Sequence, residues 1–381
     1  MRPSDILYKL KHKRPTLRQV SDFAMRRALY RFGSSWKMPP PLRVFINLNN
    51  NCNAKCQMCD VGQGNENSLF YRTMVQDGSH GLSPDKLEEM LAELTPFKPL
   101  IAFNGVEPTL YKGLAVAIKS AKNKGMATQV TTNGILLPKL ADDLFDAGTD
   151  TLWVSLDGPP ETHDAIRGIP GAFNKAMEGL KELHSKKSRA GVKKPSLNIV
   201  STIFHLNQSA IYQLLEILQK SGVLFDEVML QHLQFITPHQ ASAHNRDFPD
   251  VPVTAISTAS SHPASVDINA LYQEKRKIDA AGFGLNVRWK PHLKDISEME
   301  RYYRHPEIFF GDKKCRVFWN ELQILADGSV TGSQRCFSLK LGNINEKPFM
   351  EIWNGPEMVR WRTLLKQEGA LPACSRCCSI L

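Results

Sequence analysis

The sequence predicts an α/β protein, a partial (β/α)6 barrel followed by a small cysteine-rich domain at the C-terminus. The chain of 381 residues is long enough for one large domain and a smaller one. Strand-like and helix-like segments alternate from residue 43 onward in six units, a rhythm typical of parallel sheets. Five of the eight cysteines fall after residue 310. Because a closed barrel of this kind needs more strand–helix units than six, an open sheet is expected.

The barrel elements are predicted from the period of their apolar residues and from their capping residues. Short runs rich in β-branched residues predict strands at 43–48, 100–104, 128–132, 151–156, 197–204 and 227–235. Segments with helical periodicity predict helices at 83–94, 114–124, 138–147, 172–185 and 209–221. Ser83 and Pro84 mark a helix start, and Gly125, Gly148 and Gly222 mark helix ends.

Residues 1–41 precede the barrel as a basic extension. Residues 1–40 contain ten Lys or Arg and only two acidic residues, so most of the net charge of +10 lies here. A helix with a small apolar face is predicted at 16–32. We expect this extension either to contact an acidic partner or an anionic membrane surface, or to pack on the barrel as a solvated helix. The rest of the chain is nearly neutral, so nucleic-acid binding is not expected.

The barrel is predicted to occupy residues 42–236 and the cysteine-rich domain residues 310–381. Residues 237–309 between them are expected to form a lid or linker region. Within it, 237–268 is rich in Ser, Ala, Pro, Thr and His, which predicts either a long loop or a disordered insertion. The sequence has no apolar run long enough for a membrane span and no secretory signal pattern. We therefore expect a cytoplasmic protein whose cysteines are reduced and bind metal.

The strongest chemical signal is the pattern Cys52-x3-Cys56-x2-Cys59, directly after the first predicted strand. Three thiolates at this spacing can bind three corners of a four-iron cluster. No Cys or His lies between Cys59 and His80, so one iron keeps an open site for a ligand. A zinc site is the alternative, but it would usually recruit a fourth ligand nearby.

This loop resembles the signature of the radical S-adenosyl-L-methionine (SAM) superfamily, and later motifs follow in that family's order. Residues 104–108 (Asn-Gly-Val-Glu-Pro) resemble the Gly-Gly-Glu-Pro strand end that binds the SAM amino group, with Val106 in place of the second glycine. Residues 131–134, 154–158 and 163–168 resemble the third and fourth strand ends and the loop that follows. The resemblance implies a SAM-cleaving [4Fe–4S] cluster on the three cysteines. It also implies SAM contacts from Asn104, Gly105, Glu107, Pro108, Thr132, Asn133, Ser155, Asp157 and Arg167.

Two of these residues have specific roles in the resemblance. Glu107 is expected to accept a hydrogen bond from the SAM ammonium, and Arg167 to pair with the SAM carboxylate. All the motifs lie at the C-terminal ends of predicted strands, which is the edge where α/β sheets bind ligands.

The C-terminal cysteines resemble the SPASM/Twitch extension of radical SAM enzymes. The resemblance is carried by Cys315-Arg-Val-Phe-Trp-Asn-Glu, by Ala-Asp-Gly at 326–328 and by Cys374-x2-Cys377. It implies one auxiliary [4Fe–4S] cluster bound by Cys315, Cys336, Cys374 and Cys377, with Cys378 as the alternative to Cys377. A structural zinc knuckle is the other interpretation, because four thiolates suit zinc equally well.

The resemblance implies an enzyme that cleaves SAM reductively to a 5′-deoxyadenosyl radical, which abstracts a hydrogen atom from a substrate carbon. A donor such as flavodoxin or ferredoxin would supply the electron, and the auxiliary cluster would assist dehydrogenation, epimerisation or oxidative bond formation. The short segment before the barrel favours a small-molecule substrate, such as a sugar or aminocyclitol, over a peptide. A non-enzymatic iron–sulfur or zinc sensor is the alternative of another class. Gln231, His232 and Gln234 lie on the last predicted strand, of which one parity faces the barrel interior, and are candidate substrate-pocket residues.

Overall fold

The computed structural model describes residues 38–75, 81–258, 261–310, 313–332 and 339–377, together with Met25 and Phe337. Apart from Met25, the helix predicted at 16–32 lies outside the described residues, and so do Cys336 and Cys378. The partner expected for the basic extension therefore stays a prediction.

The described strands form one sheet that runs through the whole fold. In chain order they are β1 Arg43–Asn47, β2 Leu100–Asn104, β3 Thr128–Thr132, β4 Thr151–Ser155, β5 Ser196–Ile203, β6 Glu227–His232, β7 Val287–Lys290, β8 Glu321–Ile324, β9 Ser329–Thr331 and β10 Gly342–Asn343. Their order in the sheet is β10-β9-β8-β1-β2-β3-β4-β5-β6-β7. Strand β8 and strands β1 to β7 pair in parallel, whereas β9 and β10 are added antiparallel at one edge.

This sheet confirms the predicted α/β class, and its strands β1 to β6 are the six predicted ones. Strand β7 pairs in parallel with β6 and lies inside the region 237–309 that was expected to be a lid or linker. Its sequence, Val-Arg-Trp-Lys, is short and half charged, so it carries no apolar strand pattern. Strand β8 belongs to the segment after residue 310, yet it pairs with β1. Both flanking segments thus extend the barrel sheet, and the proposed domain boundaries stay predictions.

Helices cover the sheet between successive strands. The described helices are α1 Leu69–Val75, α2 Pro84–Leu94, α3 Leu114–Asn123, α4 Leu137–Asp146, α5 Pro160–Arg167, α6 Ala172–Arg189, α7 Ile211–Lys220, α8 Pro238–Asp247, α9 Ile268–Ala280, α10 Ile296–Arg304, α11 Val317–Asn320, α12 Phe349–Trp353 and α13 Pro356–Glu368. Helices α2, α3, α4, α6 and α7 are the five predicted barrel helices. None of the described helices is long and apolar enough to cross a membrane.

Two helices correct expectations from the sequence. Most of the segment 163–168, expected to be a loop, belongs to α5, which ends at Gly168 in the left-handed conformation with φ 66°. Helix α8 lies inside 237–268, so the prediction of a long loop there is wrong for those residues. Thr237 and Gln240 form a capping box that starts α8, and a proline occupies its first turn.

Candidate active site

The C-terminal ends of the parallel strands surround a cavity of about 250 Å³. Its walls come from the cysteine loop after β1 and from the ends of β2 to β6. Ten of the residues predicted to bind the cluster or SAM line it: Cys52, Cys56, Cys59, Asn104, Gly105, Glu107, Thr132, Asn133, Ser155 and Arg167. Pro108 and Asp157 are buried behind this wall. The topology therefore brings together motifs that are spread over more than a hundred residues of sequence.

Helix α5 fixes the backbone of the cysteine loop. The amide of Lys55 donates to the carbonyl oxygen of Arg167 at 2.9 Å, and the amide of Gln57 donates to that of Ile166 at 2.9 Å. These two bonds use carbonyls at the C-terminal end of a helix, which have no partner within the helix itself. The segment expected to be a loop thus serves as a helical support for Cys56.

The three thiols of the loop lie close enough to influence one another's ionisation. Desolvation of the Cys52 thiol raises its pKa to about 12, although the residue as a whole is exposed, and the neighbouring Cys56, Glu107 and Cys59 add to that shift. Burial also raises the pKa of Cys56, while the guanidinium of Arg167 opposes it and donates to the Cys56 Sγ at 3.4 Å. Because thiolates are the form that binds iron, cluster assembly must displace these protons.

Asp60, the residue after Cys59, anchors the loop to a distant segment. Its side chain is 2% exposed and accepts hydrogen bonds from Ser68 Oγ at 3.0 Å and from the backbone amide of Ser257 at 3.1 Å. Ser257 lines the cavity and has an unusual positive φ of 56°. No sequence pattern pointed to Ser257, because it meets Asp60 across 197 residues.

Glu107 joins the ends of β2 and β3. One carboxylate oxygen accepts hydrogen bonds from Thr109 Oγ at 2.5 Å and Thr132 Oγ at 2.6 Å, and the other accepts the amide of Asn133 at 2.8 Å. Burial raises the pKa of Glu107, although these donors oppose the shift. Glu107 therefore organises the cavity wall through the protein's own donors, in addition to any contact with a ligand.

Gly105 lies where the end of β2 approaches β1 closely, which explains why this position is a glycine. Its φ is +118°, and a Cβ at this position would lie 2.4 Å from Asn47 Oδ1. A side chain would therefore strain the backbone and collide with β1. The adjacent Asn104 Oδ1 is buried without a hydrogen-bond partner among the described residues. It lines the cavity as an acceptor that a ligand donor can satisfy.

Asp157, Arg167 and His163 form a buried polar group behind the cysteines. Arg167 Nη2 lies 2.6 Å from Asp157 Oδ2, and the amide of Thr202 donates to Asp157 Oδ1 at 2.9 Å. Burial, together with the charge of Arg167, lowers the pKa of His163 to about 3, so His163 is neutral and its Nδ1 accepts the amide of Asp157. Arg167 was expected to pair with the SAM carboxylate, but its partners in the structure are Asp157 and Cys56.

The pocket candidates on the last predicted strand separate in the structure. Gln231 and Gln234 line the cavity. His232 does not: it is fully buried on the other face of β6, with Nδ1 2.8 Å from Tyr303 Oη of α10. Its assignment as a pocket residue is therefore wrong, because the period of two along a strand places it on the opposite side from Gln231.

The second cysteine group converges near the C-terminus. Burial raises the pKa of Cys374 well above its usual range, and the nearby Cys377 and Cys315 raise it further. The amide of Cys315 donates to the carbonyl oxygen of Gly369 at 2.7 Å, which joins the two ends of this segment. Three of the four predicted auxiliary ligands thus lie together, and the fourth, Cys336, is outside the described residues.

These residues fit the two groups expected at the cavity. Cys52, Cys56 and Cys59 all line this cavity, and a donor set of three thiols suits a cluster with one exposed iron. The unpartnered Asn104 Oδ1 and the hydroxyl of Ser155 stand on the same wall as acceptors for a polar ligand such as SAM. Their individual roles as ligands remain predictions.

Comparison with known proteins gives two family matches. The radical SAM superfamily matches residues 46–220, and the SPASM iron-sulfur cluster-binding domain matches residues 315–378. An AdoMet-dependent heme synthase of Oleidesulfovibrio alaskensis is 35% identical over 285 residues, covering 72% of this chain and 67% of the relative. The Fe-coproporphyrin III synthase of Methanosarcina barkeri is 26% identical over 328 residues, covering 81% and 73%.

The fold is also similar to that of solved structures. SuiB of Streptococcus suis bound to S-adenosylmethionine has a TM-score of 0.59 at 16% identity and covers 96% of this chain and 82% of that protein. At this identity the likeness supports the architecture alone. The relatives are named synthases, so an enzyme, rather than a non-enzymatic sensor, is the correct class. The chain belongs to the radical SAM superfamily, as an enzyme that binds SAM and a [4Fe–4S] cluster in its barrel and auxiliary iron–sulfur in a C-terminal SPASM domain.

Proposed function

We propose that this enzyme starts radical chemistry on a small organic molecule in the cavity at the strand ends. The observation that carries the proposal is the convergence of three thiols and a polar wall on one open cavity. When bound, the cluster supplies the electron that cleaves SAM to methionine and the 5′-deoxyadenosyl radical that abstracts a substrate hydrogen atom.

The chain's own residues bind and orient the reacting groups. Cys52, Cys56 and Cys59 hold the cluster, with the carbonyls of α5 fixing their loop. Asn104 supplies the free acceptor for the SAM ammonium, and Glu107 keeps the ends of β2 and β3 in register around it. This preorganised wall reduces the entropy that SAM and substrate lose on binding.

For the substrate we propose a small molecule. The relatives named for haem synthesis give the most direct support to one substrate class, a cofactor precursor such as a tetrapyrrole. The sugar or aminocyclitol predicted from the sequence has no such support from these relatives and stays a second small-molecule candidate. A peptide is the remaining alternative. The electron donor is proposed to be a flavodoxin or a ferredoxin.

Anaerobic reconstitution with iron and sulfide, followed by SAM and reductant, tests this function. We expect 5′-deoxyadenosine to form, with flavodoxin or ferredoxin able to replace a chemical reductant. The Cys56→Ala variant is the control and should form none. Parallel assays with coproporphyrin III, an aminocyclitol and a short peptide should show which class accelerates SAM cleavage and loses a hydrogen. No 5′-deoxyadenosine from a fully loaded wild-type enzyme would overturn the proposal.

A further inference from the structure

Strand β7 presents two different faces. Trp289 is buried on one face, where its ring lies 5.6 Å from that of His232, and His232 in turn contacts Tyr303 of α10. This is the face that the helices cover. Arg288 and Lys290 flank Trp289 in the strand, so their side chains point to the opposite face of the sheet.

The register of the sheet places Lys290 beside the wall of the cavity. Thr202 of β5 pairs with Gln231 of β6, and Gln231 pairs with Lys290 of β7. Thr202 and Gln231 both line the cavity. Residues paired in register share a face of the sheet, and neighbouring strands are about 4.8 Å apart. Lys290 therefore continues the row of polar residues formed by Thr202 and Gln231 onto the next strand.

The two basic residues of β7 differ in their partners. Arg288 Nη2 lies 2.6 Å from Glu227 Oε1, so its charge is balanced within the protein. Lys290 is half-buried and makes no ion pair or side-chain hydrogen bond with the described residues. Glu107, the carboxylate in the lining, is already bonded to Thr109, Thr132 and Asn133. Lys290 therefore presents a positive charge beside this row of polar residues, available to pair with an anionic group of a ligand.

We propose that Lys290 binds a carboxylate of the substrate, with Gln231 beside it as a neutral hydrogen-bonding group. The substrate is accordingly an anionic small molecule that carries its carboxylate on the β6–β7 side of the cavity, away from the cysteine loop. This inference rests on the proposed function and narrows its substrate class.

Binding of coproporphyrin III to the reconstituted enzyme, followed by fluorescence, tests the inference against the tetramethyl ester of the same porphyrin. We expect wild-type enzyme to prefer the free acid, and Lys290→Met to weaken its binding about tenfold without changing that of the ester. Lys290→Arg should retain the preference because it keeps the charge. Lys119→Met, at an exposed position on α3, is the matched control and should behave as wild type.

Equal binding of acid and ester by wild-type enzyme, or an affinity of Lys290→Met for the acid within twofold of wild type, would overturn the role of Lys290. Formation of 5′-deoxyadenosine by the wild-type enzyme reports on the proposed function independently. The inference can therefore fail while the radical activity stands.

Discussion

The two cysteine groups of this enzyme are held in different ways. Cys52, Cys56 and Cys59 lie within eight residues, and their loop is fixed by backbone hydrogen bonds to α5. Cys315 and Cys374 lie 59 residues apart and meet through long-range contacts such as that between Cys315 and Gly369. The three loop cysteines line an open cavity that can accept a ligand. Cys315 and Cys374 of the second group are instead buried among the residues that support them.

Arg376 is the main support of the second group. It lies between Cys374 and Cys377, is 1% exposed, and donates to four backbone carbonyls at or just beyond the C-terminal end of α10 and to that of the preceding residue. The accepting oxygens belong to Arg301, Tyr302, His305, Ile308 and Ser375. A planar guanidinium suits this task because it offers five donors in a fixed geometry.

Gln240 of α8 makes a second connection to the same segment. Its amide nitrogen donates to Ser375 Oγ at 2.7 Å and to the carbonyl oxygens of Pro306 and Pro372, both at 3.3 Å. The side chain also belongs to the capping box of α8. The region expected to be a lid therefore includes a helix that braces the C-terminal cysteines against the barrel.

Removing the barrel cysteines should have the largest effect of any change. Changing Cys52, Cys56 and Cys59 to Ala is expected to abolish SAM cleavage while about four iron atoms remain bound at the C-terminal site. The reason is that, among the described residues, the barrel loop is supported by α5 and the C-terminal group by α8 and α10. Iron analysis, electron paramagnetic resonance and 5′-deoxyadenosine assays would measure it.

The complementary variant, Cys315→Ala with Cys374→Ala, serves as the control for this comparison. It should keep the barrel signal and the spectral change that SAM binding causes. If the triple variant still cleaved SAM, or bound no iron at all, the separation of the two groups would be wrong.

Arg376→Met should destabilise the C-terminal region without touching the barrel cysteines. The change leaves five carbonyl contacts without their donor, so we expect a loss of at least about 3 kcal/mol in the free energy of unfolding. Denaturant unfolding under anaerobic conditions measures that loss, and iron analysis should show weaker retention of the auxiliary iron.

Arg360→Met is the matched control for Arg376→Met. Arg360 is exposed and lies 3.6 Å from Glu357 in a surface ion pair, so its loss should cost less than about 1 kcal/mol. Equal stability of the two variants would mean that Arg376 contributes no more than a surface arginine.

The convergence of the barrel motifs on one cavity could be expected from the sequence because their signals are local. The cysteine loop and the strand ends at 104–108 and 131–134 are short motifs, and the strand–helix order brings them to one edge. Ser257, Arg376 and strand β7 were missed because each depends on a partner far away in the chain. The face of His232 was misjudged because a polar residue was taken as a pocket candidate, although it follows Val228 and Leu230 on the buried face of β6.

Glu107→Gln should have a smaller effect that is confined to the barrel. The amide nitrogen of Gln would face donors such as Thr132 Oγ or the amide of Asn133, so one contact of the wall is lost. The hydrogen bond expected from the SAM ammonium to the charged Glu107 carboxylate is lost as well, and such a bond is worth about 1.5–3 kcal/mol, which corresponds to SAM binding roughly ten- to a hundredfold weaker. Calorimetry with SAM measures this affinity, with the exposed Glu89→Gln as control. Both clusters should keep their spectra, because glutamine has the size of glutamate and the described hydrogen-bond partners of Glu107, which are Thr109, Thr132 and Asn133, all belong to the barrel. An unchanged SAM affinity would mean that residues 104–108 do not form the SAM site.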